Sequence, residues 1–370
     1  TRIRTTGRRR FSLVRIRCIS QRAAGRMSCC RSFRCDRIKP DREESVIKHA
    51  KRLLLAALLA ACASAASAQD YPNRLVTIIV PYPAGGPTDQ IARELAARLS
   101  EKLKQNFVVE NVSGGGTTIA TGRVARATPD GYTLLLHNLQ ISANVALYPN
   151  LGFDTEKDLA PVGFINQNPL VLTGRKSLTP STLGELIALM KREPLKMAHP
   201  GTGSTGHLAT SLFTKEAKVE AIQVPYRGAA PALQDIAGDH VDLFFATPQS
   251  VVEQVAAGQI KAFGITAKQE SPLFPKVASF VTEMGPKLEI LYWHALFVPT
   301  GTPAPVIDRL NDVLQQVEDD PAVVKAWAAT GVVPYPKDQR SPQAAQALLH
   351  SEIARWAQVV RENNIQPPGQ

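Results

Sequence analysis

Val76-Thr77-Ile78-Ile79-Val80-Pro81-Tyr82-Pro83-Ala84-Gly85-Gly86-Pro87-Thr88-Asp89 is the stretch on which the reading of the fold rests. Its first five residues are all β-branched, which suits a buried strand, and the prolines and glycines that follow break the strand into a turn. Beyond Asp89, Ile91, Leu95, Leu99 and Leu103 recur on one helical face, so the unit reads as strand, tight turn and amphipathic helix. Glycines in such a turn let the backbone approach a ligand closely, and the unpaired N–H groups of the first helical turn attract an anion. Thr88 or Asp89 is expected to cap the helix. Tyr82, Ala84, Gly85, Gly86, Thr88 and Asp89 are therefore candidate ligand-binding residues, although the same composition also suits an ordinary βα turn with a proline-set entry.

Outward from this unit, short β-branched runs keep alternating with amphipathic stretches, which predicts an α/β protein with largely parallel sheets. Strands are expected at 107–110 and 132–136 with a helix at 119–127 between them, and a second unit begins at Leu170-Val171-Leu172. That unit holds expected helices at 183–191, 208–215 and 233–236 and strands at 196–198, 221–224 and 241–245. Helices near 305–316, 322–329 and 343–363 close the chain. Roughly 300 residues after the leader exceed the usual size of one core, so two lobes are expected.

The formal net charge of +11 is unevenly placed. Residues 1–68 carry 17 of the 43 Lys and Arg and 4 of the 32 Asp and Glu, which leaves 26 basic against 28 acidic residues, a net charge of −2. Basicity belongs to the leader, and nucleic acid is not an expected partner. All five cysteines (Cys18, Cys29, Cys30, Cys35 and Cys62) also precede residue 68, so the folded part needs no disulfide and offers no thiolate chemistry. Lys48, Lys51 and Arg52, the apolar run from Leu53 to Ala61 and the ending Ala66-Ser67-Ala68 have the three-part order of a secretory signal peptide at 48–68, cleaved after Ala68. The run is about half the ~20 residues a membrane-spanning helix requires. Leu59-Ala60-Ala61-Cys62 offers an alternative lipoprotein cleavage at Cys62. Residues 1–47 read as a non-native upstream extension, with initiation near Val46, or else as a basic arm.

A second glycine-rich loop, Gly201-Thr202-Gly203-Ser204-Thr205-Gly206-His207, follows the expected strand at 196–198. It matches G-x-G-x-x-G, but a dinucleotide site expects an acid after the next strand, and here Pro225, Tyr226 and Arg227 stand there. A second anion-binding helix terminus is the better reading, with Thr202, Gly203, Ser204 and His207 as candidates. Ser204 and His207 also raise an extracytoplasmic hydrolase, yet residue 202 is Thr, so the G-x-S-x-G elbow is absent and the two side chains better suit a helix cap and a pocket wall. The histidines are scattered without metal-ligand spacing, and no cofactor motif occurs, so neither metal nor cofactor is expected. The pair Tyr292 and Trp293 reads as core.

Taken in order, Tyr71-Pro72, Val80 to Asp89, Val109 to Gly116, Ala127 to Leu135, Gly203 to Leu208, Val224 to Leu233 and Pro299 to Pro303 resemble the substrate-binding receptors of tripartite tricarboxylate transporters, the Bug family. The resemblance covers residues 70–365. It implies a two-lobe, Venus-flytrap periplasmic-binding-protein fold with two hinge crossings: residues 69–168 plus 290–370 in lobe one, 169–289 in lobe two. It also implies a periplasmic, non-enzymatic monomer that captures a small organic acid for membrane permease subunits. In the family one carboxylate is held by the loops matching Tyr82 to Asp89 and Thr202 to His207, largely through backbone N–H groups and water. Where members commonly place Asp after the strand matching 241–245, this chain has Ala246 and then Thr247, which disfavours a ligand carrying an ammonium. A sensor subunit signalling through a membrane partner would use the same binding chemistry, and the segment His137 to Ser142 departs from the family pattern.

Overall fold

The computed structural model describes residues 71–366. The expected signal peptide, its expected cleavage after Ala68, the Cys62 alternative and the expected upstream extension lie outside the described residues. No helix among those described is long and apolar enough to cross a membrane.

The chain opens with β1 (Val76–Val80), α1 (Pro87–Leu103), β2 (Phe107–Asn111), α2 (Thr118–Ala125), β3 (Thr133–Asn138), α3 (Gln140–Leu147) and α4 (Thr155–Asp158). The long strand β4 (Leu159–Pro169) then hands over, within one residue, to β5 (Val171–Arg175) of a second sheet. There follow α5 (Leu183–Met190), β6 (Leu195–His199), α6 (Thr205–Ala217), β7 (Ala221–Pro225), α7 (Ala229–Ala237), β8 (Leu243–Ala246), α8 (Pro248–Ala256), β9 (Ile260–Ile265), β10 (Ala278–Ser279) and α9 (Phe280–Met284). The strand β11 (Leu291–Pro299) re-enters the first sheet, and α10 (Ala304–Glu318), α11 (Pro321–Ala329), β12 (Val333–Pro334) and α12 (Pro342–Glu362) complete it.

Two six-stranded sheets result, ordered β12-β4-β11-β3-β1-β2 and β10-β9-β5-β8-β6-β7. Both are mixed, which corrects the expectation of largely parallel sheets: β1 pairs parallel with β2 and β3, but β11 runs antiparallel to β3 and β4, and β5 antiparallel to β8 and β9. β5 and β11, the strands that follow the two crossings, run antiparallel to their neighbours because a strand that enters a sheet straight from the other one has no crossover helix to reverse its direction; the short β12 is also antiparallel, to β4. In β11 every residue from Tyr292 to Pro299 is buried, as a strand covered on both faces requires.

The crossings are tied to each other by Thr266, which is fully buried. Its hydroxyl accepts from the Leu170 amide at 2.8 Å and donates to the Ile290 carbonyl at 2.6 Å. Its backbone bonds the same two residues, the Thr266 N–H reaching the Leu170 carbonyl and the Ile290 N–H reaching the Thr266 carbonyl. One apolar cluster continues behind this junction through both lobes, with Phe164 and Trp293 of the first sheet joined to Leu172 and Phe245 of the second and covered by Leu349, Ile353 and Trp356 of α12. Burial of such side chains, about 25 cal/mol per Å² of apolar area, holds the two lobes together along this junction.

Candidate functional site

A cavity of about 140 Å³ lies between the two lobes. Four helices begin at its wall: α1 contributes Gly86, Pro87 and Thr88, α6 contributes Ser204 to Gly206, α7 contributes Gly228 to Pro231, and α8 contributes Thr247 and Ser250. The first-turn N–H groups of a helix lack internal partners and carry the positive end of its dipole, so this convergence makes the wall electropositive without a formal charge. Three of the four, those starting at Gly86, Gly228 and Thr247, have no side-chain cap, which leaves their first-turn N–H groups, lacking at Pro87, Pro231 and Pro248, without a side-chain acceptor. Only Ser204 caps its own helix, accepting from the His207 N–H at 3.3 Å. Leu170, Pro200, Phe244 and Phe245 supply an apolar side. Among the described residues, Arg227 is the one charged group lining the cavity, and no acid lines it.

The floor is a neutral hydrogen-bond network centred on Asn138. The Tyr82 hydroxyl donates toward Asn138 Oδ1 at 2.8 Å and lies 3.0 Å from Gln140 Oε1. Asn138 Nδ2 donates to Tyr292 Oη at 2.7 Å and to Thr88 Oγ1 at 3.0 Å. Thr88 Oγ1 is also 3.0 Å from Tyr292 Oη and 3.3 Å from His294 Nε2, whose Nδ1 meets Asn166 Oδ1 at 2.8 Å. Burial keeps these groups uncharged: it lowers the His294 pKa to about 3 and raises that of Tyr292 to about 12.

Of the residues expected from sequence, Tyr82, Ala84, Gly86, Thr88, Ser204 and Thr247 line the cavity, whereas Gly85, Asp89, Thr202, Gly203, His207 and Ala246 do not. Neither Thr88 nor Asp89 caps α1, because Gly86 occupies the N-cap position and the Thr88 hydroxyl is drawn into the floor network. The Asp89 carboxylate turns back, accepting from Gly85 N–H, Arg93 Nε and Asn111 Nδ2, and so braces the loop from behind. Desolvation pushes its pKa upward, but the three bonds together outweigh that and hold it below the ordinary value. Gly85 supplies the left-handed turn, at φ 83°, that this brace requires.

Thr202 and His207 belong to a separate depression shared with His199, Gln223 and residues 363–366. There His207 Nδ1 accepts the Gly203 N–H at 3.0 Å while its ring stacks on His199, 4.5 Å between centroids. With Nδ1 occupied by a backbone donor and the Ser204 hydroxyl engaged in capping, the pair does not form a nucleophile and base. Ala246 ends β8 opposite Val171 with its side chain in the core, so the case against an ammonium ligand moves from that one position to the acid-free lining as a whole. Sequence reasoning missed Asn138 and Gln140 as site residues, though their segment stood out as irregular; Tyr292 is a core residue as expected, but its hydroxyl also reaches the cavity floor.

The family model of the tripartite tricarboxylate transporter family receptor matches residues 91–365. The chain belongs to this receptor family. Among solved structures, the receptor is similar to the periplasmic binding protein BugD, with 32% identity and TM-score 0.76 over 80% of this chain and 99% of that one. It is also similar to R. palustris Rpa4515 with adipate, with 34% identity and TM-score 0.75 over 80% of this chain and 100% of that one. A third is MatC from Rhodopseudomonas palustris with bound malate, with 35% identity and TM-score 0.74 over 78% of this chain and 100% of that one. Among the described residues no group of three or more His, Cys, Asp or Glu is placed to hold a metal ion.

Proposed function

We propose that this receptor captures a small organic acid in the periplasm and presents it, chemically unchanged, to the membrane permease subunits of a tripartite transporter. The observation that carries the reading is the meeting of four helix N-termini, three without side-chain caps, around one interlobe cavity. Apart from Pro87, Pro231 and Pro248, which have no N–H, these first turns supply backbone donors and no acid that would repel an anion, which suits a carboxylate. Adipate and malate in the two R. palustris relatives support the same class. Arg227 favours a ligand with a second anionic group, and the acid-free lining disfavours an ammonium, whose burial without a partner costs on the order of several kcal/mol.

In this reading the receptor works as an exported monomer, with residues 69–168 and 290–370 as one lobe and 169–289 as the other, closing on the ligand about the crossings. It has no catalytic role in this reading: among the described residues, the cavity lining brings no nucleophile together with an oriented base.

A thermal-shift and calorimetric screen of mono- and dicarboxylates, with and without amino groups, tests the proposal. Bound acid should stabilise the fold by RT ln(1 + [L]/Kd), about 2.7 kcal/mol at a hundredfold excess. Turnover of the acid in the same tubes, detected by mass spectrometry, would refute a pure receptor.

A further inference from the structure

We propose that the cavity floor recognises a hydroxyl group on the ligand, bonded by Tyr82 and Tyr292 together, so that the receptor selects hydroxycarboxylates over the matching acids that lack the hydroxyl. The inference rests on the carboxylate reading above and deepens it.

Protons in the Asn138 network can be counted, because two contacts involve backbone groups whose roles are fixed. The Gln140 N–H can only donate, and it lies 3.0 Å from Asn138 Oδ1, which fixes the orientation of that amide. The Gly116 carbonyl can only accept, and it receives Gln140 Nε2 at 3.2 Å, which turns Gln140 Oε1 toward Tyr82. The Tyr82 hydroxyl therefore faces two acceptors, Asn138 Oδ1 and Gln140 Oε1, and its single proton is taken by one of them. Toward the cavity Tyr82 offers only a lone pair.

Tyr292 is in the opposite situation. Asn138 Nδ2 donates one proton to Tyr292 Oη and the other to Thr88 Oγ1, so both hydroxyls accept from the amide and aim their own protons elsewhere. His294 Nδ1 faces Asn166 Oδ1 and carries its proton there, which leaves Nε2 as an acceptor for Thr88. The Tyr292 proton then has one internal acceptor, a Thr88 oxygen that already receives an amide proton. It can turn to the cavity at the loss of a single neutral bond.

Tyr82 and Tyr292 thus hang on the oxygen and nitrogen ends of one amide, presenting an acceptor beside a donor. A carboxylate only accepts and an ammonium only donates, so each would satisfy one phenol and leave the other unmatched. A hydroxyl does both. The ligand's carboxylate is held by the helix termini, which leaves the floor to read its hydroxyl.

Calorimetry on the wild-type receptor with matched pairs tests this: lactate and propionate, malate and succinate, 3-hydroxybutyrate and butyrate, citrate and tricarballylate. In every pair that binds, the hydroxy acid should bind about tenfold or more tightly, the worth of one to two net hydrogen bonds. Tyr82→Phe removes the acceptor and Tyr292→Phe the donor, and each should cut the preference to about threefold or less. Equal binding within pairs, as a bridging water would give, overturns the inference while leaving the carboxylate reading intact, and so does a preference unchanged in both variants. Failure of every acid to bind overturns both.

Discussion

Gly203, in the loop before α6, packs so closely on Leu147 of α3 that a β-carbon added to it would lie 2.6 Å from Leu147 Cδ1. The two residues are on elements of different sheets, Leu147 following β3 and Gly203 following β6, so the contact ties the two lobes together beside the cavity. Gly203 also sits at φ 76°, where a side chain costs about 1–2 kcal/mol. Gly203→Ala should therefore weaken acid binding by more than tenfold through the closed state. Small-angle scattering with saturating ligand checks the cause, and a variant as compact as wild type would count against it.

Gly86 is a different kind of glycine. Its φ of −81° and ψ of 170° suit any residue, and an added β-carbon meets nothing nearer than the Pro83 carbonyl at 3.7 Å. Gly86→Val should keep Tm within a few degrees while placing two methyl groups where the ligand meets α1. Binding is expected to fall at least tenfold. Wild-type affinity in the folded variant would show that the ligand does not approach this backbone.

Arg227 is exposed, and it is the one charged residue lining the cavity among those described. Arg227→Gln should weaken dicarboxylates roughly tenfold more than monocarboxylates of the same length and flatten the salt dependence of binding. An equal loss for both classes, measured by titration at two ionic strengths, contradicts a role in holding the second anion.

Stability should fall on acidification well before the carboxylates titrate. Burial lowers the pKa of His137 and His294 to about 3 and of His207 to about 4, whereas the unfolded chain protonates near 6.5. Between those values the unfolded state binds more protons, so stability is full above about pH 6.5 and declines below it. Asp89, whose folded pKa is depressed, adds a further loss as pH drops below the ordinary aspartate value of ~3.9. Tm measured from pH 7.5 to 4.5 should be flat down to about 6.5 and then fall. A flat profile throughout would mean that the three imidazoles already carry their protons in the fold.

The strand–turn–helix unit at 76–103 was legible because burial and period agree there: Val76–Val80 is a strand and Ile91, Leu95 and Leu99 are buried on one face of α1. The glycine loops were legible as sites for the same reason, since backbone donors need little besides glycine and a helix start. The floor was not. Asn138, Gln140, Thr88, Tyr292 and His294 converge from three separate stretches, and only the pairing of β11 with β3 places His294 opposite Asn138. No local pattern carries that register. The segment His137 to Ser142 stood out only as departing from the family pattern, although Asn138 at the end of β3 is the centre of the network. The antiparallel crossings were missed for a related cause, because direction within a sheet is set by where the chain enters, not by the composition of the strand.

Thr266 gives the hinge a mechanical character. With its hydroxyl and backbone bonded to Leu170 on one crossing and Ile290 on the other, neither linker can swing without dragging its neighbour. Tied in this way, the two crossings are expected to turn together as one joint. Amide exchange at Leu170 and Ile290 should then proceed at one common rate that slows with ligand, and two independent rates would show two separate joints. With one such joint, a partner touching both lobes would need to gauge only one angle to tell a loaded receptor from an empty one.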